Sequence, residues 1–315
     1  MSIVQNILYP CKFDQTMQPA KFIAAAGTGP HPVIICLHTW STDQEQESYE
    51  RYAELAQSRN WHMIFPRFRG PNCQPDACGS ELVVSDLEDA VAYVKNNYAV
   101  DPARVYLMGG SGGGHCALLM AGRRPDLWTA VSAWCPISDI ALWHTESMVR
   151  YRCYADNIES ACGGIPSESE DAGKEARKRS PLTWLPNAAG ILTVDINAGI
   201  HDGHIGSVPV GQAIRAFNML AAPEDRISEE EIEFIEANEA VPEHLAANND
   251  DPVFGGRKIY LRKHSLTARL TLFEGGHDLL PEPAFEWLSR QISGQPADWS
   301  PGKVLTDFSD SHLDK

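Results

Sequence analysis

The chain has 315 residues and a formal net charge of −16, from 26 basic and 42 acidic residues. Its 43% hydrophobic and 22% charged content is that of a folded globular protein, since disordered chains carry too few apolar residues and collagen-like chains far more Gly and Pro. The acidic balance argues against a nucleic-acid or anionic-membrane partner, and no apolar stretch approaches the roughly 18 to 20 residues of a membrane helix.

The opening MSIVQNILYP has no basic region followed by an apolar core, so no signal peptide is read there and a cytoplasmic location is expected. Lys21 to Ala25 reads as an early antiparallel edge strand. Pro32 to His38 (PVIICLH) is the first strong strand, followed by a polar helix over Glu47 to Ser58 and a strand over His62 to Pro66. In SDLEDAVAYVKNNY, Ser85 and Glu88 form a capping-box pattern, and Leu87, Ala90, Val91, Val94 and Tyr98 share one helical face.

Arg104 to Met108 (RVYLM) is a strand followed at once by glycines and a helix through His115 to Ala121. Trp128 to Cys135 and Ile191 to Ala198 complete the central strands, and Val210, Ala213, Ile214 and Phe217 mark a further helix. Ala268 to Phe273 is the last strand and Ala284 to Ile292 the last helix. This alternation indicates a mostly parallel sheet with helices on both faces.

Two segments break the rhythm, at about 142–187 and 221–263. On such a scaffold long excursions are decorations, and the whole of 1–315 is expected to be one domain. The second excursion is acidic: from Glu224 to Asp251 there are eleven acidic residues against one base, Arg226. Ser228 and Glu231 make a second capping-box pattern there, which marks a solvated helix. Of the eight cysteines, Cys36, Cys116 and Cys135 fall in apolar runs. Cys73 with Cys78, and Cys153 with Cys162, are close enough in sequence for loop disulfides. No CxxC pair or regular Cys/His spacing points to zinc.

The sharpest chemical signal is Gly109-Gly110-Ser111-Gly112-Gly113. G-x-S-x-G is a short pattern, but this one sits between a strand and a helix. A nucleophilic serine needs that tight turn, and small neighbours permit it. A phosphate loop would instead end in Lys-Ser/Thr. The residue after the nucleophile, Gly112, would offer its N–H to an oxyanion.

A serine nucleophile needs a base, and the base a carboxylate to fix its tautomer. In this fold class they follow in the order acid, then histidine, on loops after strands. Asp202, in Gly199-Ile200-His201-Asp202, and His277, in Gly275-Gly276-His277-Asp278, occupy such places. Asp195 lies inside a strand and Asp278 adjoins His277, so neither suits the acid. His201 and His204 flank Asp202 in a string that also resembles metal ligands, but no second cluster accompanies it, and neither metal nor cofactor is expected. His115 reads as a packing or hydrogen-bonding residue. The second oxyanion donor should come from His38-Thr39-Trp40-Ser41, after the first strong strand, and the Trp40 N–H is the choice.

Four stretches carry a family resemblance: GGSGGGH at Gly109 to His115, KRSPLTWLPNA at Lys178 to Ala188, GIHDGHIGSVPVGQAIRAFN at Gly199 to Asn218, and FEGGHD at Phe273 to Asp278. With them the chain resembles an α/β-hydrolase, and more closely the catalytic domain of the prolyl oligopeptidase family, over roughly Pro32 to Ile292. The resemblance implies Ser111 as nucleophile, Asp202 as acid and His277 as base. Thr39 stands where the fold class usually has Gly. The roughly 30 residues before the first core strand cannot supply the β-propeller that filters substrates in peptidases of that family.

The expectation is therefore a serine hydrolase cleaving carboxylic esters, with acylated carbohydrates or other small esters as substrates. A peptidase acting on short peptides is the alternative. The excursion at 142–187 is expected to wall the pocket, with Trp143, Arg150 and Trp184, together with Trp40 and Trp134, as substrate-binding candidates.

Overall fold

Alternation at every second residue sets the layers. In β3 (His31–Leu37), Val33, Ile35 and Leu37 enter one core cluster while Ile34 and Cys36 enter another. β5 (Val100–Gly110) repeats the pattern, with Val105 and Leu107 on one side and Tyr106 and Met108 on the other. Strands buried on both faces must be sandwiched by helices. In the computed structural model, which describes residues 4–246 and 250–303, they are.

Nine strands form one sheet. Besides β3 and β5 these are β1 (Gln5–Pro10), β2 (Met17–Ile23), β4 (His62–Pro66), β6 (Ala130–Trp134), β7 (Thr193–Gly199), β8 (Ile259–Ser265) and β9 (Ala268–Phe273), in the order β1-β2-β4-β3-β5-β6-β7-β9-β8. The six central strands from β4 to β9 pair in parallel. β1, β2 and β8 pair antiparallel with their neighbours. Helices α1 (Tyr49–Ser58) and α10 (Pro281–Ser289) cover one face; α2 (Glu81–Asn97), α3 (Gly112–Arg123) and α8 (Gly211–Leu220) cover the other. This is the α/β-hydrolase arrangement expected from the sequence.

The first excursion folds into α4 (Ile140–Arg150), α5 (Arg152–Cys162), α6 (Glu170–Arg179) and α7 (Pro181–Trp184). Ile140, Trp143, Ile158, Ala161, Ala172 and Ala176 build a third apolar cluster, which takes in Trp40 and Val208 from the loops after β3 and β7. The second excursion contains α9 (Glu229–Asn238), whose Ser228–Glu231 capping box is formed.

Several expectations need correction. The early strand is not the edge, because β1 pairs outside β2. Most of β8, Ile259–Ser265, falls in the stretch read as an insertion. Helix α2 starts at Glu81 with Ser80 as N-cap, whose Oγ accepts from the Val83 N–H. Ser85 is therefore a mid-helix residue, bonded to Asp89. The eight cysteines are free, so neither Cys73 with Cys78 nor Cys153 with Cys162 is bridged. Residues 1–3 of the opening stretch and 247–249 of the acidic stretch lie outside the described residues. No described helix is long and apolar enough to cross a membrane.

Candidate active site

β5 runs into Ser111, and α3 begins at the next residue. Ser111 has φ 56° and ψ −122°, a conformation that costs a non-glycine residue of order 1–3 kcal/mol. Its neighbours hold it there: the Ser111 N–H donates to the Trp134 carbonyl (2.8 Å), and its carbonyl accepts from the His115 N–H (2.9 Å). The turn sets the serine, 7% exposed, at the C-terminal edge of the sheet and at the N-terminus of a helix, where developing negative charge is favoured. A Cβ on Gly110 would press into the Leu279 side chain, from the loop that carries His277.

Gly112 meets the chain from the other side. A Cβ on it would lie 2.6 Å from the Trp40 backbone nitrogen and 2.5 Å from the Trp40 Cα. The Gly112 N–H is a first-turn amide with no intrahelical partner. The two expected oxyanion donors, Gly112 and Trp40, are thus adjacent.

Asp202 follows β7 and His277 follows β9, neighbouring parallel strands. His277 Nδ1 lies 2.7 Å from Asp202 Oδ2. The other carboxylate oxygen accepts from the backbone N–H groups of Gly203 (3.0 Å) and Val208 (3.3 Å). The Asp202 side chain is 1% exposed and that of His277 22%, so the acid is sealed while the imidazole faces outward. Two backbone bonds join the loops, Ile200 N–H to Phe273 O at 2.8 Å and His201 N–H to Gly275 O at 3.0 Å. Among the described residues no hydrogen bond links the Ser111 hydroxyl to His277.

The competing groups are otherwise engaged. Asp195 is buried and paired with Arg269 at 2.6 Å. Asp278 pairs with Arg257 at 2.7 Å. His115 Nε2 bonds to the Arg179 carbonyl at 2.7 Å, and burial lowers its pKa to about 4. His201 reaches Glu239 and Glu274, and His204 bonds to the Glu236 carbonyl.

Most of the expected substrate-binding aromatics do not present a face to a ligand. Trp134 is fully buried against Phe254 and Phe273, with its Nε1–H on Ser132 Oγ. Trp143 is 1% exposed and donates to the Ser207 carbonyl. The Trp40 ring is 2% exposed, edge-on to Trp143 and hydrogen-bonded to Asn157. Trp184 packs beside Gly122 and under Arg123, at the end of α3 away from Ser111. Arg150 does reach the acid loop, donating to the carbonyls of Gly203 and His204.

Sequence reasoning missed two neighbours of the pair. Cys135 is buried with φ 44° and Sγ 3.4 Å from the Asp278 carbonyl oxygen. Ile205 is 73% exposed and leans on Gly276 beside His277. The signal available for Ile205 was its place three residues after Asp202, on the loop that follows the strand.

The sheet order, the strained serine turn and the acid–histidine pair define an α/β-hydrolase. The chain resembles the catalytic domain of the prolyl oligopeptidase family, whose model, described as "Prolyl oligopeptidase family", matches residues 80–227. That segment contains Ser111 and Asp202. Similar solved structures include an acylaminoacyl peptidase from Pyrococcus horikoshii, 12% identical with a TM-score of 0.62, covering 96% of this chain and 43% of that one. A puromycin-hydrolyzing peptidase from Mycobacterium tuberculosis is 16% identical with a TM-score of 0.61, covering 94% and 41%. A puromycin hydrolase is 15% identical with a TM-score of 0.62, covering 91% and 38%. The chain thus spans about two fifths of the length of each. No curated protein matches the sequence.

Proposed function

We propose that the chain is a serine hydrolase of the peptidase type, acting on short peptides or acylated amino acids through Ser111, His277 and Asp202. The observation that carries the reading is the 2.7 Å bond between Asp202 and His277, placed on the sheet edge where β5 delivers Ser111. His277 takes the Ser111 proton as the hydroxyl attacks the carbonyl carbon. The tetrahedral oxyanion rests on the N–H groups of Gly112 and Trp40, and His277 then protonates the leaving amine. Water repeats the sequence on the acyl-enzyme. Asp202 stays ionised, holding the imidazole in the tautomer with its proton on Nδ1. The Ser111–His277 hydrogen bond forms as substrate fills the site, as is common where the free enzyme is loosely arranged.

The peptidase choice, over the ester hydrolase expected from the sequence, is supported by the family match over residues 80–227 and by similar structures that are themselves peptidases. The burial of Trp40, Trp134 and Trp143 also removes the aromatic platforms that had suggested a sugar ester. The test is turnover of aminoacyl and N-acyl-aminoacyl p-nitroanilides beside p-nitrophenyl acetate, p-nitrophenyl butyrate and acetylated or feruloylated sugars. Ser111→Ala serves as blank throughout. Serine-dependent cleavage of the anilides is expected. Cleavage of esters alone would return the protein to the ester hydrolases.

A further inference from the structure

His201 directly precedes the acid Asp202 and is the joint of three segments. Its Nδ1 lies 2.6 Å from Glu239 Oε2, at the end of α9 in the acidic excursion. Its Nε2 lies 2.9 Å from Glu274 Oε1, three residues before His277. Its own N–H donates to the Gly275 carbonyl. Neither carboxylate oxygen brings a proton of its own when ionised, so both ring nitrogens can donate only if the imidazole is doubly protonated.

Every charged or titratable neighbour fits that state. Glu274 also accepts from the Tyr260 hydroxyl at 2.5 Å. This bond, with the bond and the charge of His201, holds its carboxyl below the usual range and keeps it ionised. Lys258 stands over the Tyr260 ring, and Arg257 donates to the Glu274 carbonyl while pairing with Asp278. Glu239 is approached by His204 Nδ1 at 3.8 Å. Burial alone would lower the His201 pKa, but the two carboxylates outweigh it and raise it above the ordinary histidine value.

We infer that His201, as an imidazolium between Glu239 and Glu274, is a positioning residue that sets the Asp202–His277 pair, and that its deprotonation disables the site at alkaline pH. The acid loop and the base loop are tied by backbone bonds on one side and by this charged bridge on the other. When the proton leaves, one of the two carboxylates loses its donor, and the acid loop keeps only its backbone bonds to the base loop and the His204–Glu236 bond to α9 beside the one remaining side-chain tie. The sign follows from the raised pKa: the bridge is complete below the ordinary histidine value and is lost as pH rises through the folded one. The inference rests on the serine hydrolase reading above.

The test is the pH profile of kcat for the full chain, on whichever anilide or ester it turns over, in wild type, Glu239→Gln, Glu274→Gln and His201→Gln. Removing one carboxylate should move the alkaline fall to lower pH by about one unit. His201→Gln should lower kcat by about 10- to 100-fold with KM within threefold, and lose that fall. The His201 ring is also titrated by NMR in Ser111→Ala, where turnover plays no part, with and without Glu239→Gln. A ring titration that moves while the alkaline limb of kcat stays put overturns the positioning role. Two sharp ring N–H signals without any Ser111-dependent turnover would keep the bridge but remove the hydrolase reading on which its role depends.

Discussion

Asp202 and His277 are separated by 75 residues, yet their side chains meet at 2.7 Å because β7 and β9 are parallel neighbours ending at the same edge. The chain from the acid to the base leaves the sheet for α8 and α9, re-enters it at the edge strand β8, and turns back into β9, whose register on β7 is fixed by six residue pairs. The pair is thus a product of sheet order.

Two aspartates of this region separate role from stability. Asp202→Asn keeps the shape of the side chain but reverses the imidazole tautomer, and should cut kcat by about 10⁴-fold with little change in melting temperature. Asp195→Ala leaves Arg269, whose side chain is 3% exposed, without its partner. It should cost about 3–5 kcal/mol of stability, read by denaturant unfolding. Equal loss of kcat in stable, folded forms of both variants would make Asp195 part of the chemistry.

Gly112→Ala places a methyl 2.5 Å from the Trp40 Cα and forces the two oxyanion donors apart. Turnover should fall about 10²- to 10³-fold, and overpacking should destabilise by about 1–3 kcal/mol. Unchanged kcat in a folded variant would show that the two amides do not act together.

The Glu146 carboxyl on α4 is pushed up to about 7 by burial, against the hydrogen bond from Gln212. Its protonated form is therefore favoured in the folded state, and the stability it adds is present below about 4.5 and lost as pH rises through about 7. Glu146→Gln mimics the protonated form. Its melting temperature relative to wild type should be higher at pH 8 than at pH 5; the same difference at both pH values would place the titration elsewhere.

Thiol titration checks the cysteine arrangement. Cys73 and Cys153 are exposed and the other six are buried. A disulfide reagent should label two thiols quickly in the native protein and all eight in denaturant. Fewer than eight in denaturant without reductant would reveal a disulfide.

Local chemistry was the legible part. RVYLM followed by GGSGGGH fixed the turn at Ser111, since few other sequences tolerate positive φ beside such close backbone approaches. The largely apolar runs of β3, β4, β6 and β9 were legible because both their faces are buried. β1 and β8 were not: QNILYP and IYLRKHS are half-exposed and polar, and pair only because a neighbour's edge is free. The N-terminus of α2 was misplaced because Ser85 with Glu88 fits a capping box, whereas the actual N-cap, Ser80, has Val83 three residues on and so shows no such pattern in sequence. The tryptophans failed for a different reason. An aromatic ring near a site in sequence serves packing as readily as ligand binding. For Trp40 and Trp143 the outcome depends on helices α4 to α6, and for Trp134 on Phe254 and Phe273, all contacts distant in sequence.

Reaction with a fluorophosphonate, followed by intact mass and peptide mapping, is the most direct test of Ser111 as the nucleophile of this site. One adduct should form, on Ser111, be absent from Ser111→Ala, and form far more slowly in His277→Ala. An unlabelled wild-type protein, or a label that persists in Ser111→Ala, would mean that the turn after β5 is not a nucleophile and that the Asp202–His277 pair serves another purpose.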